Sequence, residues 1–287
     1  MIRSVLVVAG SDSGGGAGIQ ADMAAIHALG AWATTAITCL TAQNPDEVTR
    51  VDATDPAMVA EQIATVCRRL PPAAVKIGMT YSAEIIAAVA DALPRHAPGV
   101  PVVLDPVMRA TSDASLLQPG GETALAEFLL PLAHAVTPNL AEARVLAGCG
   151  EITSVAEMED AARRIADRTA ATVVVKGGHL DREATDVVLH DGAFHYLRGQ
   201  RIDAASTHGT GCSLASAVAA GLASGLDVLA AVRQAKAYVT SLLLWCVALG
   251  ANGPHGLGMV HPGGVWQLRL EADGASQAAA VSHNGRG

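Results

Sequence analysis

Residues 207–212, Thr207-His208-Gly209-Thr210-Gly211-Cys212, lead without a break into an apolar stretch from Ser213 to Leu226, the pattern of a loop that opens a helix. Glycines let a backbone approach a ligand closely. The first turn of a helix adds unpaired N–H groups and the positive end of its dipole, so the segment is built to hold an anion. A cysteine at that lip is unusual, because the same field favours thiolate; a lowered thiol pKa is the expectation for Cys212. His208 and Cys212, four apart, could also form a Cys/His nucleophilic pair, although no third orienting group is identifiable.

A second glycine-rich stretch, Ala9-Gly10-Ser11-Asp12-Ser13-Gly14-Gly15-Gly16-Ala17-Gly18, admits three readings. A P-loop lacks its lysine, since Gly16-Ala17 follows Gly15. A dinucleotide fingerprint on Gly16, Gly18 and Ala21 lacks the acidic residue that would hold a ribose. The third reading is a turn packed against a small ligand. Only three of the 19 basic residues are lysines, and two of them, Lys76 and Lys176, precede Ile77-Gly78 and Gly177-Gly178, where an ammonium reaches phosphate as a point charge or merely caps a strand. A pairing of Lys76 with Asp105 is the alternative. Asp105 and Glu142 are magnesium candidates, or else ordinary cap and salt-bridge carboxylates. Asp22, four residues after Gly18, can turn back on a ligand or sit on the surface.

These groups must be positioned by elements that alternate in type. Short β-branched runs at Val5 to Ala9, Thr35 to Leu40, Ala74 to Gly78, Val100 to Asp105, Ala135 to Thr137 and Thr172 to Lys176 read as strands. Between them Ala17 to Leu29, Pro56 to Arg69, Ala83 to His96, Gly121 to Leu130, Ala141 to Ala147 and Val155 to Arg168 read as helices. Asp186 to His190 and Ala193 to Leu197, split by Asp191-Gly192, form a hairpin. Two apolar helices follow, Thr210 to Ser224 and Val228 to Leu249. The expected fold is α/β with a doubly wound, mostly parallel sheet, whose ligands bind beyond the carboxyl ends of the strands. The residues just after each strand do read as one site: Gly10-Ser11-Asp12, Gln43-Asn44, Lys76-Ile77-Gly78-Met79, Asp105-Pro106-Val107-Met108, Thr137-Pro138-Asn139 and Lys176-Gly177-Gly178-His179.

The 287 residues, 51% hydrophobic, suffice for one large domain over residues 1–270, and the small polar residues of 271–287 read as a disordered tail. Aromatic residues make up only 3% and the formal charge is -8, which argues against nucleic acid as a partner. No window of about 18 uninterrupted apolar residues predicts a membrane span. The apolar run at the start is too short for a signal peptide. Five cysteines without a CxxC pair fit a reducing compartment, so a cytoplasmic location is expected.

With these motifs in order, the chain resembles the ribokinase-like superfamily, and within it the hydroxymethylpyrimidine/phosphomethylpyrimidine kinases of thiamine biosynthesis. The resemblance rests on residues 9–22, Ala42-Gln43-Asn44, Lys76-Ile77-Gly78-Met79, Asp105-Pro106-Val107-Met108, Thr137-Pro138-Asn139-Leu140, Lys176-Gly177-Gly178-His179 and Thr207 to Cys212. It implies a three-layer α/β/α fold and transfer of phosphate from ATP with Mg2+, first to a pyrimidine alcohol and then to its monophosphate. By the same resemblance Gly209, Thr210 and Gly211 cradle the moving phosphate and Cys212 acts as base. Lys176 contacts ATP phosphates, Thr207 and His208 border the nucleotide, and Asp105 and Glu142 organise magnesium. Gln43 reads the pyrimidine edge, with Gly10, Asp22, Met79 and Val107 shaping the pocket. A homodimer is implied, and pyridoxine or pyridoxal phosphorylation is the neighbouring activity. Two departures stand out: Arg109-Ala110-Thr111-Ser112-Asp113 lacks the glycine common in the family, and Met259 stands where proline is more usual.

Overall fold

The computed structural model describes residues 3–44, 46–110, 114–178, 184–199, 201–202 and 208–248. Thr207, His179, Thr111 to Asp113, Met259 and the expected tail over 271–287 lie outside the described residues.

Nine strands form one sheet: β1 (Ser4–Asp12), β2 (Trp32–Gln43), β3 (Val48–Ala53), β4 (Ala74–Ile77), β5 (Val102–Leu104), β6 (Ala135–Val136), β7 (Thr172–Val175), β8 (Asp186–His190) and β9 (Ala193–Leu197). Their order across the sheet is β3-β2-β1-β4-β5-β6-β7-β8-β9. From β2 to β7 all pairings are parallel, while β3, β8 and β9 run antiparallel to their neighbours. The helices are α1 (Gly18–Ala28), α2 (Pro56–Arg69), α3 (Ala83–His96), α4 (Gly121–Ala124), α5 (Leu140–Ala147), α6 (Val155–Ala166), α7 (Thr210–Ala223) and α8 (Val228–Ala248).

Strand β1 shows why the fold has three layers. Its residues are apolar on both faces, as buried parallel strands require. Leu6 and Val8 belong to a core that they share with Val59 and Ile63 of α2, Ile85 and Ile86 of α3, and, further along the same face of the sheet, Met158 and Ile165 of α6. Val5, Val7 and Ala9 face the other way, into a second core with Ile26 of α1, Leu214 and Val218 of α7, and Val232 and Leu242 of α8. The expected mostly parallel α/β/α sandwich is therefore the observed one.

Two local expectations change. The edge strand β3 was not anticipated, because only Val48 and Val51 of its six residues are partly buried, which leaves no apolar alternation to read. The helix expected over Gly121 to Leu130 is α4 followed by a π turn, Leu125–Leu129, and a 3-10 turn, Leu130–Leu132. Pro131, with no amide hydrogen, closes that run.

The chain leaves β1 for β2 on one side and later returns to place β4 on the other. The carboxyl ends of β1 and β4 thus flank the topological switch point, where doubly wound sheets bind ligands.

Candidate active site

The turn after β1 is organised by Asp12. Its carboxylate accepts from the backbone N–H of Gly14 and of Ala17, both at 2.8 Å, while its own N–H donates to Gln20 Oε1 at 3.0 Å. Burial works to raise the Asp12 pKa, but the hydrogen bonds from His208, Gly14 and Ala17 outweigh it and hold the carboxyl below its ordinary value. Gly18 closes the turn at φ +57°, and a Cβ there would lie 2.5 Å from the Gly10 carbonyl oxygen, so a side chain is excluded on both counts.

This turn walls a small cavity of about 50 Å3 at the switch point, lined among others by Gly10, Gln43, Met79, Val107, Lys76 and Cys212. Four of the five residues expected to shape the substrate pocket therefore meet there. Met79 is fixed from behind: Thr38 Oγ1 donates to its carbonyl at 2.6 Å, and its Sδ lies 3.8 Å from Cys39 Sγ. Gln43 is tied to the glycine turn, since Ser13 Oγ donates to its carbonyl and accepts from its N–H, each at 2.8 Å. Ser11 lines the cavity as its strand-end position predicts, and Thr41 and Leu116, not singled out in the sequence, line it too. The signal for Thr41 was available, as it stands two residues from Gln43 on the same face of β2.

Asp22 does not line the cavity. It is fully buried, accepts from Lys76 Nζ through both oxygens at 2.8 Å, and accepts from Ser216 Oγ at 2.7 Å. Lys76 is equally buried, so the pair is a shielded ion pair satisfied by hydrogen bonds rather than a surface charge or an independent ligand group. Burial disfavours each charge; it wins for Asp22, whose pKa is raised, and loses for Lys76, whose ammonium Asp22 secures. The partner anticipated for Lys76, Asp105, is taken instead by Lys176, with Nζ 3.0 Å from Asp105 Oδ1. A Cβ at Gly78 would lie 2.6 Å from Lys76 Nζ, so the glycine leaves room for the buried ammonium.

The start of α7 carries the anion loop. Gly209 is its N-cap at φ +83°, and a Cβ there would collide with the Gly16 carbonyl oxygen, so the loop rests directly on the glycine turn. Thr210 and Gly211 follow as the first helical residues and Cys212 stands third, within the dipole's reach. The bare Cα of Gly211 faces the lysine: a Cβ there would be 3.2 Å from Lys176 Nζ and 3.9 Å from Asp105 Oδ2. His208 is buried, its Nε2 3.5 Å from Asp12 Oδ2.

Glu142 completes the group in a double role. It is third in α5 and forms a capping box: its Oε2 accepts from Asn139 N–H at 2.8 Å while Asn139 Oδ1 accepts from Glu142 N–H at 2.9 Å. Burial, with Asp105 adding to it against the opposing pull of Lys176, pushes its carboxyl up to about 7. Burial also opposes the Lys176 ammonium, but Asp105 and Glu142 outweigh it and raise that pKa. No group of three or more His, Cys, Asp or Glu that would cage a metal occurs among the described residues. Two carboxylates beside an anion loop are nevertheless what magnesium uses when phosphates and water supply its other ligands.

The thiol behaves opposite to expectation. Burial pushes the Cys212 pKa up to about 12, and the lowering effects of Lys76 and of the Gly18 N–H that hydrogen-bonds the sulfur do not compensate. Desolvation outweighs the helix terminus, with Asp22 and Asp105 adding to it.

A family model described as phosphomethylpyrimidine kinase matches residues 12–258. The chain belongs to that family. The hydroxymethylpyrimidine/phosphomethylpyrimidine kinase of Rhizobium meliloti is 48% identical over 240 residues, covering 83% of this chain and 90% of that protein. Among solved structures, phosphomethylpyrimidine kinase from Clostridium difficile is 37% identical with a TM-score of 0.73, over 84% of this chain and 98% of that one. The pyridoxal kinase from Staphylococcus aureus in complex with AMP-PCP and pyridoxal is 34% identical with a TM-score of 0.78, over 85% and 88%. Membership makes the chain a kinase and removes the Cys/His hydrolase reading. No helix among the described residues is long and apolar enough to cross a membrane.

Proposed function

We propose that the chain transfers the γ-phosphoryl group of ATP to the hydroxymethyl oxygen of 4-amino-5-hydroxymethyl-2-methylpyrimidine, and then transfers a second one to the resulting monophosphate, supplying the diphosphate for thiamine biosynthesis. One observation carries this reading. Cys212 both lines the cavity with Gln43 and Met79 and stands in the first turn of α7, so an acceptor in the cavity presents its oxygen to the anion loop.

In this reading Gln43 hydrogen-bonds the edge of the ring while Gly10, Met79 and Val107 pack on it. The N–H groups of Gly209, Thr210 and Gly211 hold the equatorial oxygens of the moving phosphoryl group, which is the dominant kind of help in a reaction with little covalent chemistry for the protein to do. Lys176 adds a point charge beside Gly211. Asp105 and Glu142 would hold Mg2+, which would supply charge neutralisation for the phosphates. Cys212 receives the alcohol proton in the first transfer; Lys76 and the Gly18 N–H favour its thiolate. Asp22 serves the pocket indirectly, by holding Lys76.

A cavity of about 50 Å3 is smaller than the ~300 Å3 at which ligand sites usually begin, so entry of a ring requires its long side chains, Gln43 and Met79, to shift. We place the enzyme in the cytoplasm as a homodimer. All five cysteines are free, as a reducing compartment requires, and Leu40 and Met58 are large apolar side chains left exposed.

The test offers the aminopyrimidine alcohol and pyridoxal separately with ATP and magnesium, and resolves mono- from diphosphate products. Pyridoxal is included because of the similarity to the Staphylococcus aureus enzyme. The expected result is pyrimidine monophosphate followed by diphosphate. Turnover of pyridoxal with the pyrimidine untouched would replace the proposed substrate, and no ATP consumption with either would remove the kinase assignment.

A further inference from the structure

The glycine turn and the anion loop serve different ligands in the proposed reaction, yet they are joined at three points. Gly16 carbonyl oxygen lies against Gly209 so closely that no side chain fits between them. The Gly18 N–H hydrogen-bonds Cys212. The third point is the contact between Asp12 Oδ2 and His208 Nε2 at 3.5 Å, with both residues buried and 196 positions apart in sequence. Asp12 is placed to transmit strain, because its other interactions hold the turn itself through Gly14 and Ala17 N–H. His208 stands next to Gly209, the N-cap of α7, so a restraint on its ring also restrains the loop that opens the helix.

We propose that Asp12 and His208 form a latch that makes the pyrimidine pocket and the phosphate loop one binding unit, so that a ligand in either half strengthens binding in the other. Both are positioning residues: neither needs to touch a reacting atom. The inference rests on the substrate assignment above and adds a property to it. A pyrimidine pressing on Gly10 and Gly18 fixes the turn, the turn fixes Asp12, and Asp12 fixes His208 and the N–H groups behind it. The ordering of the loop is then shared between the two ligands, and the second to bind meets a site already formed. By thermodynamic linkage the effect is the same in either order.

The experiment measures the dissociation constant of AMP-PCP with magnesium, alone and at saturating pyrimidine alcohol, and the reverse pair, by calorimetry on the full chain. Wild type is expected to show at least about fivefold mutual enhancement, the lower end of typical coupling between sites. In His208→Ala and Asp12→Asn the enhancement is expected to fall toward onefold. His208→Gln, which keeps a donor directed at Asp12, is expected to recover part of it. Kinetics provide a second readout: the latch variants raise the KM of each substrate chiefly when the other is saturating, whereas a merely structural lesion raises both KM values independently of the partner. Unchanged enhancement in folded His208→Ala, or none in wild type, would overturn the latch. Should Asp12→Asn fail to fold, the comparison of His208→Ala with His208→Gln decides alone. Failure of the substrate assignment looks different: the pyrimidine would not bind wild type at all.

Discussion

At Cys212 two demands conflict. Removing a proton from an alcohol calls for a base, and burial makes the thiolate scarce at neutral pH by pushing the thiol to about 12. The scarcity has a definite sign: below that value the thiolate fraction grows about tenfold per pH unit, as any acid below its pKa must. A phosphate monoester with a second pKa of about 6 is already a dianion at neutral pH and needs no base. The first transfer should therefore speed up as pH rises from 6.5 to 9 while the second stays nearly level, measured as kcat/KM on the alcohol and on the monophosphate. Cys212→Ser should slow the first transfer by about 10²–10⁴, the usual size of a general-base contribution, and the second by far less. Equal losses in both would remove Cys212 from the proton path and leave it a packing residue of the loop. Many residue types of this site were legible from the chain alone, since Asp12, Met79, Asp105 and Lys176 each end or closely follow a strand and Cys212 opens a helix. Their partners were not. Lys76 and Asp22 are 54 positions apart and Lys176 and Asp105 are 71 apart, so nothing in local spacing says which acid takes which lysine. The lowered thiol pKa expected for Cys212 fails for a related reason: the helix terminus is visible in sequence, whereas what opposes its effect, burial first and then Asp22 and Asp105, comes together only in the fold.

Helix α5 shows how an element can serve the fold and the chemistry with one side chain. Glu142 satisfies the amide of its own N-cap, which stabilises the helix, and stands beside Asp105 and Lys176, where the proposed reaction would use an acid. Its folded-state pKa of about 7 lies above its ordinary 4.5. Between those values the folded protein holds a proton that the unfolded chain has released, so this group's contribution to stability falls as pH rises from about 4.5 to 7 and is constant beyond. Glu142→Gln keeps the capping geometry, because glutamine serves at the third helical position as glutamate does. In magnesium-free buffer, urea unfolding of wild type between pH 5 and 8 should lose stability relative to Glu142→Gln, with the gap opening below pH 7. Parallel curves for the two proteins would mean that the carboxyl titrates normally. Helices α2 and α3 were found with their full bounds because Asp55 and Ser82 announce their starts and basic residues their ends. Strand β3 escaped because an edge strand whose residues are mostly exposed owes its existence to pairing with β2, a tertiary fact.

For the molecule as a whole, the alternation along β1 decides how many cooperative units there are. Leu6 and Val8 belong to one core and Val5, Val7 and Ala9 to the other, so neither helical layer can leave the sheet without exposing a strand that the other layer also covers. This supports the reading of one domain rather than two. Ile85 in α3 and Ile26 in α1 are both fully buried, on opposite faces. Ile85→Ala and Ile26→Ala should each cost about 2–5 kcal/mol. Because the sites share no packing partner, the double variant should cost their sum to within about 0.5 kcal/mol. Each single variant should still unfold in one transition with the denaturant slope of wild type, since that slope follows the total surface exposed. A biphasic curve in either variant, with one phase keeping wild-type stability, would mean that the two layers melt separately and that the sheet does not bind them into one unit. The active site depends on that unity, because the pocket draws Gly10 and Gln43 from the sheet while the anion loop belongs to α7 on one face and Glu142 to α5 on the other. A layer that loosened by itself would separate the acids from the phosphate loop, so loss of transferase activity with urea should coincide with global unfolding rather than precede it.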